Sequence, residues 1–349
     1  MQIRLATYAD KDAWDDYVLK QSSGTAYQLF AWRKAVEEAY AFKGLYLLAE
    51  DDTGICGILP LIDFRIPLLG STLISLPYCD VGGVLANNDE IEQALLDYAH
   101  ALAKQQSSEC HIRAVQPLPK TVTNQTDKVR MLLDLPSSVT QLQQGLNAKV
   151  RSQVNKPVRD GLTVKIGTSE LVDEFYRVFA ENMRALGSPV HSRRWIESIV
   201  SAYGDRVRIV VVHTPEGIPV AAGVVLIHPS TMSVPWASSL RRYNRYNPNM
   251  LLYWTFLTLA IDAGCRHFDF GRSTPGEGTY RFKQQWGAQP ELLYWYEPFA
   301  VNTEKIGHSR QAAYSKTAPK RQIAASLWQK LPQASTDWLG PKVRKYISL

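Results

Sequence analysis

The sequence predicts an α/β (α+β) chain of two related halves followed by a basic, partly helical tail. Segments of helical and of strand period alternate along most of the chain. The order helix, helix, strand, strand, strand, helix, strand occurs twice, as a repeat of architecture and not of sequence. Apolar residues make up 45% of the 349 positions. That suffices for two cores without disulfides or metal, at roughly 100–200 residues per domain. The expected division is residues 1–140, residues 141–300 and a tail over 301–349.

In the first half, Asp10 stands as N-cap before a short helix to Leu19, because its short acceptor side chain suits the free amides of a first turn. Ala31–Tyr40 reads as a second helix. Leu45–Ala49 and Ile55–Phe64 are strand-like on either side of the turn Asp51-Asp52-Thr53-Gly54. Leu73–Leu76 is a further strand, and the turn formers from Pro77 to Gly83 make a loop. Ile91–Lys104 carries apolar residues at helical spacing, and Cys110–Val115 and Val129–Leu135 read as strands.

Residues 137–159 read as one helix, capped by Ser138, with Val139, Leu142, Leu146 and Val150 on one face and Pro157 limiting its end. The pattern then restarts. Leu162–Ile166 is a strand. Ser169–Leu186 is an amphipathic helix and Arg193–Tyr203 another. Val207–His213 and Val220–His228 are strands joined by the turn Thr214-Pro215-Glu216-Gly217. Thr231–Ala237 is a strand, Asn249–Ala263 a helix, His267–Phe270 a short strand, and Leu292–Tyr296 closes the sheet.

The net charge is +6 and unevenly placed. One basic cluster is Lys149, Arg151, Lys156, Arg159 and Lys165; after Val301, nine Lys or Arg face two acidic residues. A basic surface attracts phosphate-rich partners: coenzyme A, tRNA, nucleotide-linked lipids or an anionic membrane. The plain alternative is a solvated basic face. Nine Trp and seventeen Tyr, several beside glycines and polar residues, suggest a groove as well as cores. Cys56, Cys79, Cys110 and Cys265 are scattered, without metal-ligand spacing, and read as buried thiols in a reducing compartment. Charges throughout Met1–Asp16 argue against a signal peptide, and the apolar runs are too short to span a bilayer. A cytoplasmic protein, peripheral at the inner membrane through its tail, is the expectation; Trp328 and Trp338 would be the interfacial anchors.

Four stretches are specific: Asn182–Val190, Pro235–Ser239, Tyr246–Trp254, and Phe268–Ser273 continuing through Gly278–Ala288. Together they resemble the FemAB-like branch of the GNAT acyltransferase superfamily. More narrowly, they are similar to FemAB-related proteins associated with the exosortase/PEP-CTERM exopolysaccharide system. Leu76-Pro77-Tyr78 and Gly82–Ala86 also fit that group. The resemblance implies two tandem GNAT-like domains. It implies transfer of an acyl or aminoacyl group to an amine or hydroxyl of a cell-envelope or exopolysaccharide precursor. No tightly bound cofactor is implied; acyl-CoA or aminoacyl-tRNA is the donor substrate. The long coiled-coil hairpin of some tRNA-using members is missing, which favours acyl-CoA. Two alternatives stay open: a non-catalytic accessory or glycan-binding protein of the same system, and an aminoacyl-tRNA-dependent peptidyltransferase. The oligomeric state is not legible.

Acyl transfer passes through an oxyanion, so the site needs a positive or hydrogen-bond donor and a route for the acceptor's proton. Lys283 is the first candidate: the family's Phe-Lys motif falls on Phe282-Lys283. A surface lysine at a helix start is the plain alternative. Asp269 and Arg272 flank Gly271 at a strand end, where α/β sheets place their sites. Asp269 is a candidate base facing the groove and Arg272 a bidentate anion binder, unless the two simply pair with each other. Tyr280 is a candidate proton donor and His191, after a Gly-Ser-Pro turn, a candidate general base. Arg184, Trp236, Ser238, Asn249, Trp286 and Tyr78 complete the substrate-binding candidates. Asn249 also reads as N-cap of its helix, whose N-terminus suits an anion. No metal site and no Ser-His-Asp spacing stands out.

Overall fold

The computed structural model describes residues 1–68, 70–118, 125–296 and 322–349. Residues 301–321 of the expected tail lie outside the described residues. The first half runs β1 (Gln2–Leu5), α1 (Lys11–Lys20), α2 (Phe30–Tyr40), β2 (Lys43–Gly44), β3 (Leu47–Asp51), β4 (Gly54–Leu59), β5 (Ile62–Ile66), β6 (Gly70–Ile74), β7 (Leu85–Ala86), α3 (Asp89–Gln105), β8 (Glu109–Ala114) and β9 (Gln125–Asp134). The second runs α4 (Val139–Gly145), α5 (Ala148–Arg159), β10 (Thr163–Gly167), α6 (Val172–Ala185), α7 (Arg193–Tyr203), β11 (Val207–His213), β12 (Pro219–Ile227), β13 (Thr231–Ser239), α8 (Pro248–Asp262), β14 (His267–Ser273), α9 (Gly278–Gln284) and β15 (Gln289–Tyr296). Helices α10 (322–330) and α11 (Gln333–Arg344) follow.

Residues 137–159 form two helices, not one. Ser138 caps α4, and Asn147 caps α5 by accepting from Val150 N at 2.9 Å. An Asn in extended conformation that satisfies a first-turn amide restarts the helix at that point. The Ile55–Phe64 run is likewise two strands, β4 and β5, in different sheets.

The two halves share one eleven-stranded sheet, ordered β10-β11-β12-β13-β14-β9-β15-β8-β6-β5-β2; β1-β3-β4-β7 make a second, four-stranded sheet. The junction is an exchange of strands. β9 of the first half pairs antiparallel with β14, Phe268 opposite Leu133, while β15, the last strand of the second half, inserts between β9 and β8. A core of aromatic residues joins the halves on the helix side. Trp32 of α2 meets Trp195 of α7 edge to face at 5.3 Å, and Tyr40 stacks on Trp195 at 5.4 Å. All four cysteines are buried and free. No helix among the described residues is long and apolar enough to cross a membrane.

Candidate active site

The site begins as a parting of strands. β13 and β14 are parallel neighbours, paired only over Thr231–Ser233 and His267–Asp269. Beyond that they separate. Pro235 has no N–H to continue the ladder on β13. On β14 the register against β9 shifts between Asp269 and Arg272. Gly271 within that bulge has φ +71°, and the nearest atoms to a Cβ placed there lie at 3.8 Å, so conformation rather than space calls for glycine. A cavity of about 230 Å³ opens between Val234-Pro235-Trp236 on one side and Phe270-Gly271-Arg272 on the other.

Asp269 holds the bulge. It is 3% exposed, accepts from Gly271 N at 2.8 Å through Oδ1, and accepts from Arg130 Nε of β9 at 2.9 Å through Oδ2. The expectation that Asp269 faces the groove is therefore corrected: it points into the sheet junction and does not line the cavity. Nor does it pair with Arg272. Arg272 lies 3.2 Å from Asp80 and its N–H donates to the same carboxylate at 3.2 Å.

Lys283 reaches the cavity from α9. Its Nζ donates to the carbonyls of Gly271 at 3.0 Å and Arg272 at 2.7 Å, at the bulge. It is 7% exposed, so it is no surface lysine. Burial pushes its pKa down to about 8, against the pull of Asp269 and Asp80 and with a further push from Arg272. An ammonium has three donors; two are spoken for.

Tyr27, Tyr78, Trp236 and Phe270 form the aromatic wall, and Asp80 and Arg344 complete the polar lining. The loop from Leu76 to Asp80 is strained: Leu76 (φ +67°) and Tyr78 (φ +70°) are left-handed without being glycine. Buried Arg113 holds it by donating to the carbonyls of Leu76 and Cys79, both at 2.9 Å.

Four of the expected residues thus meet at the cavity: Lys283, Arg272, Trp236 and Tyr78. The others do not line it. His191 lies one layer behind the aromatic wall, its ring 5.0 Å from Tyr78 and 5.9 Å from Trp236. Its Nδ1 is 2.8 Å from Tyr40 Oη, and burial holds its pKa well below 6.5, so it is a neutral ring in an aromatic cage. Ser238 is buried and bonded to Asn182 at 3.1 Å. Trp286 is core, and Tyr280 is half-buried against that core. Arg184 donates to Leu331 O at 2.7 Å, tying α6 to the C-terminal segment. Asn249 lies inside α8; the N-cap is Asn247, left-handed at φ +53°. Sequence reasoning missed Tyr27, Asp80 and Arg344. Asp80 carries a local signal, a carboxylate in a turn-rich loop; Arg344 carries none, being brought in from the far end of the chain. Among the described residues, no His, Cys, Asp and Glu cluster is arranged to hold a metal ion.

Residues 147–284 match the family model described as an acetyltransferase (GNAT) domain. No curated protein sequence matches the chain. The fold is that of several solved structures. FemX superposes with a TM-score of 0.68 at 16% identity, over 85% of this chain and 97% of FemX. A tandem GNAT protein from the clavulanic acid biosynthesis pathway gives 0.53 at 13% identity, over 85% and 98%. L-PGS from Bacillus licheniformis gives 0.55 at 12%, over 84% and 92%. Residues 147–284 thus match a GNAT domain, and the chain as a whole has the fold of FemX and of the tandem GNAT protein.

Proposed function

We propose that the chain transfers an acyl group from acyl-CoA to an amine or hydroxyl of a cell-envelope or exopolysaccharide precursor, with the reaction centred on the cavity between β13 and β14. One observation carries the reading: a buried lysine at the parting of the strands, hydrogen-bonded among the described residues only to neutral carbonyls. When the acceptor attacks the acyl carbon, the carbonyl oxygen gains negative charge. Lys283, still protonated below pH about 8, supplies a positive donor in a low-dielectric setting. Tyr27, Tyr78 and Trp236 give the acceptor an apolar wall and exclude water. The likeness of the Pro235–Ser239 and Phe268–Ala288 stretches to exosortase-associated proteins supports the acceptor class.

The test is turnover of an acyl-CoA panel with envelope-precursor acceptors. Lys283→Met should lower kcat by about a hundredfold or more. Wild-type kcat in that variant removes Lys283 from the chemistry.

A second reading, an aminoacyl-tRNA donor, is favoured by a basic and aromatic surface ahead of α8. Arg242 lies 5.0 Å from the Tyr243 ring, and Arg245 and Lys156 lie 4.6 and 6.0 Å from that of Tyr246. It requires tRNA binding that weakens steeply with salt; flat binding counts against it. Peripheral attachment to the inner membrane is supported by exposed Ile323, Leu327 and Trp338 on α10 and α11. Failure to sediment with anionic vesicles would remove it.

A further inference from the structure

The segment from α10 onward packs along the cleft between the two halves. Arg184 of α6 holds Leu331 O at 2.7 Å, and Gln329 donates to Ala185 O at 3.0 Å. Gly340 of α11 lies so close to Val190 that a Cβ would fall 3.1 Å from its nitrogen. The chain then crosses to the first half. Tyr78 donates through Oη to Lys345 O at 2.6 Å and through N to Ser348 O at 2.7 Å. Arg113 donates to Ser348 O and Ser348 Oγ, both at 3.1 Å. These bonds tie the segment to the same Leu76–Asp80 loop that shapes the cavity.

Anchored at both ends, the segment delivers Arg344 into the cavity lining. The charges there do not balance. Arg272, Lys283 and Arg344 face one carboxylate side chain, Asp80, and that carboxylate is already bonded to Arg272. Arg344 pairs with no carboxylate side chain among the described residues; its guanidinium donates to Ile347 O and, at 3.5 Å, to an oxygen of Leu349, and lies 5.7 Å from the Tyr78 ring. Three cationic side chains around one carboxylate side chain leave a local excess of positive charge that favours an incoming anion. Burial and the neighbouring Arg272 both oppose its protonated form, which an incoming anion would relieve.

We propose that Arg344 is a specificity-determining residue of this site and binds an anionic group, carboxylate or phosphate, of the substrate that fills the cavity. The proposal rests on reading this cavity as the transferase site. The planar fork of arginine suits bidentate contact with either group. Residues 322–349 are then part of the site rather than an appendage.

The experiment titrates the full chain with inorganic pyrophosphate, acetate and coenzyme A by calorimetry. The variants are Arg344→Gln, Arg344→Lys and, as control, Lys342→Gln, whose exposed ammonium sits over the Trp338 ring. Arg344→Gln should bind pyrophosphate or acetate about tenfold more weakly, as expected for loss of one charged hydrogen-bonding partner. Arg344→Lys should recover part of the loss, and Lys342→Gln should match wild type. If coenzyme A weakens in parallel, the anion is the donor's phosphate; if it does not, the anion belongs to the acceptor. Equal anion affinity in Arg344→Gln at unchanged Tm overturns the proposal, as does wild-type protein that binds none of the three. Anion binding without acyl transfer by the wild type instead sinks the transferase reading and leaves the anion site standing.

Discussion

Two side chains that the sequence offers as catalytic candidates have different surroundings in the fold. Lys283 faces the cavity; Asp269 faces Arg130. Their predicted phenotypes differ accordingly. With Lys283 pushed down to about 8, its ammonium is present below that pH and lost above it. An oxyanion-stabilising role therefore gives a kcat that falls as pH rises through about 8, whereas a general base would give a rise. A pH–rate profile decides, and a rising limb there refutes the oxyanion role. Asp269→Asn leaves Arg130 buried with only Glu291 nearby at 3.5 Å. The expected loss is about 3 kcal/mol of folding stability in urea titration. A stable variant with abolished turnover would return Asp269 to the chemistry. Alternation along a strand opposes Asp269 to Phe268 and Phe270, but it does not say which face meets solvent. That depended on β9, which brings Arg130 to the Asp269 side.

At the scale of elements, periodicity located most helices and strands, because apolar spacing reports the buried face directly. Arg193–Tyr203 and Val207–His213 fall where the spacing puts them. The failures share a cause: local signals that interrupt a continuing pattern. Apolar residues run through Leu142, Leu146 and Val150 as if on one helix, yet Asn147 caps a new one. Asn147→Ala should cost about 1 kcal/mol, measured by thermal or urea melting; an unchanged midpoint would mean the cap carries no stability. α9 went unread as a helix because seven residues after a Gly- and Pro-containing loop show too little period. It is the element that carries Lys283, which is why the lysine was recognised by motif and not by geometry.

For the whole molecule, the strand exchange matters most. β15 fills the place between β9 and β8, and β9 leans on β14. A fragment of residues 1–140 would keep β8 and β9 but lose the strand between them, exposing unpaired edges and apolar faces. It should fail to fold alone, seen as poor NMR dispersion, while the full chain melts in one transition. A well-dispersed fragment spectrum would show two independent units instead. The aromatic contacts of Trp32, Tyr40 and Trp195 across the halves act in the same direction.

The sequence by itself determined the α/β alternation and the lysine, arginine, tryptophan and tyrosine that line the cavity. These rest on interactions between near neighbours in the chain: caps, turns, periodic burial and short motifs. Tertiary structure alone decided that Asp269 turns inward, that His191 stands behind an aromatic wall, and that Asp80 and Arg344 join the site. Each of these depends on residues more than a hundred positions apart, and no local pattern encodes which distant strand or segment will pack alongside.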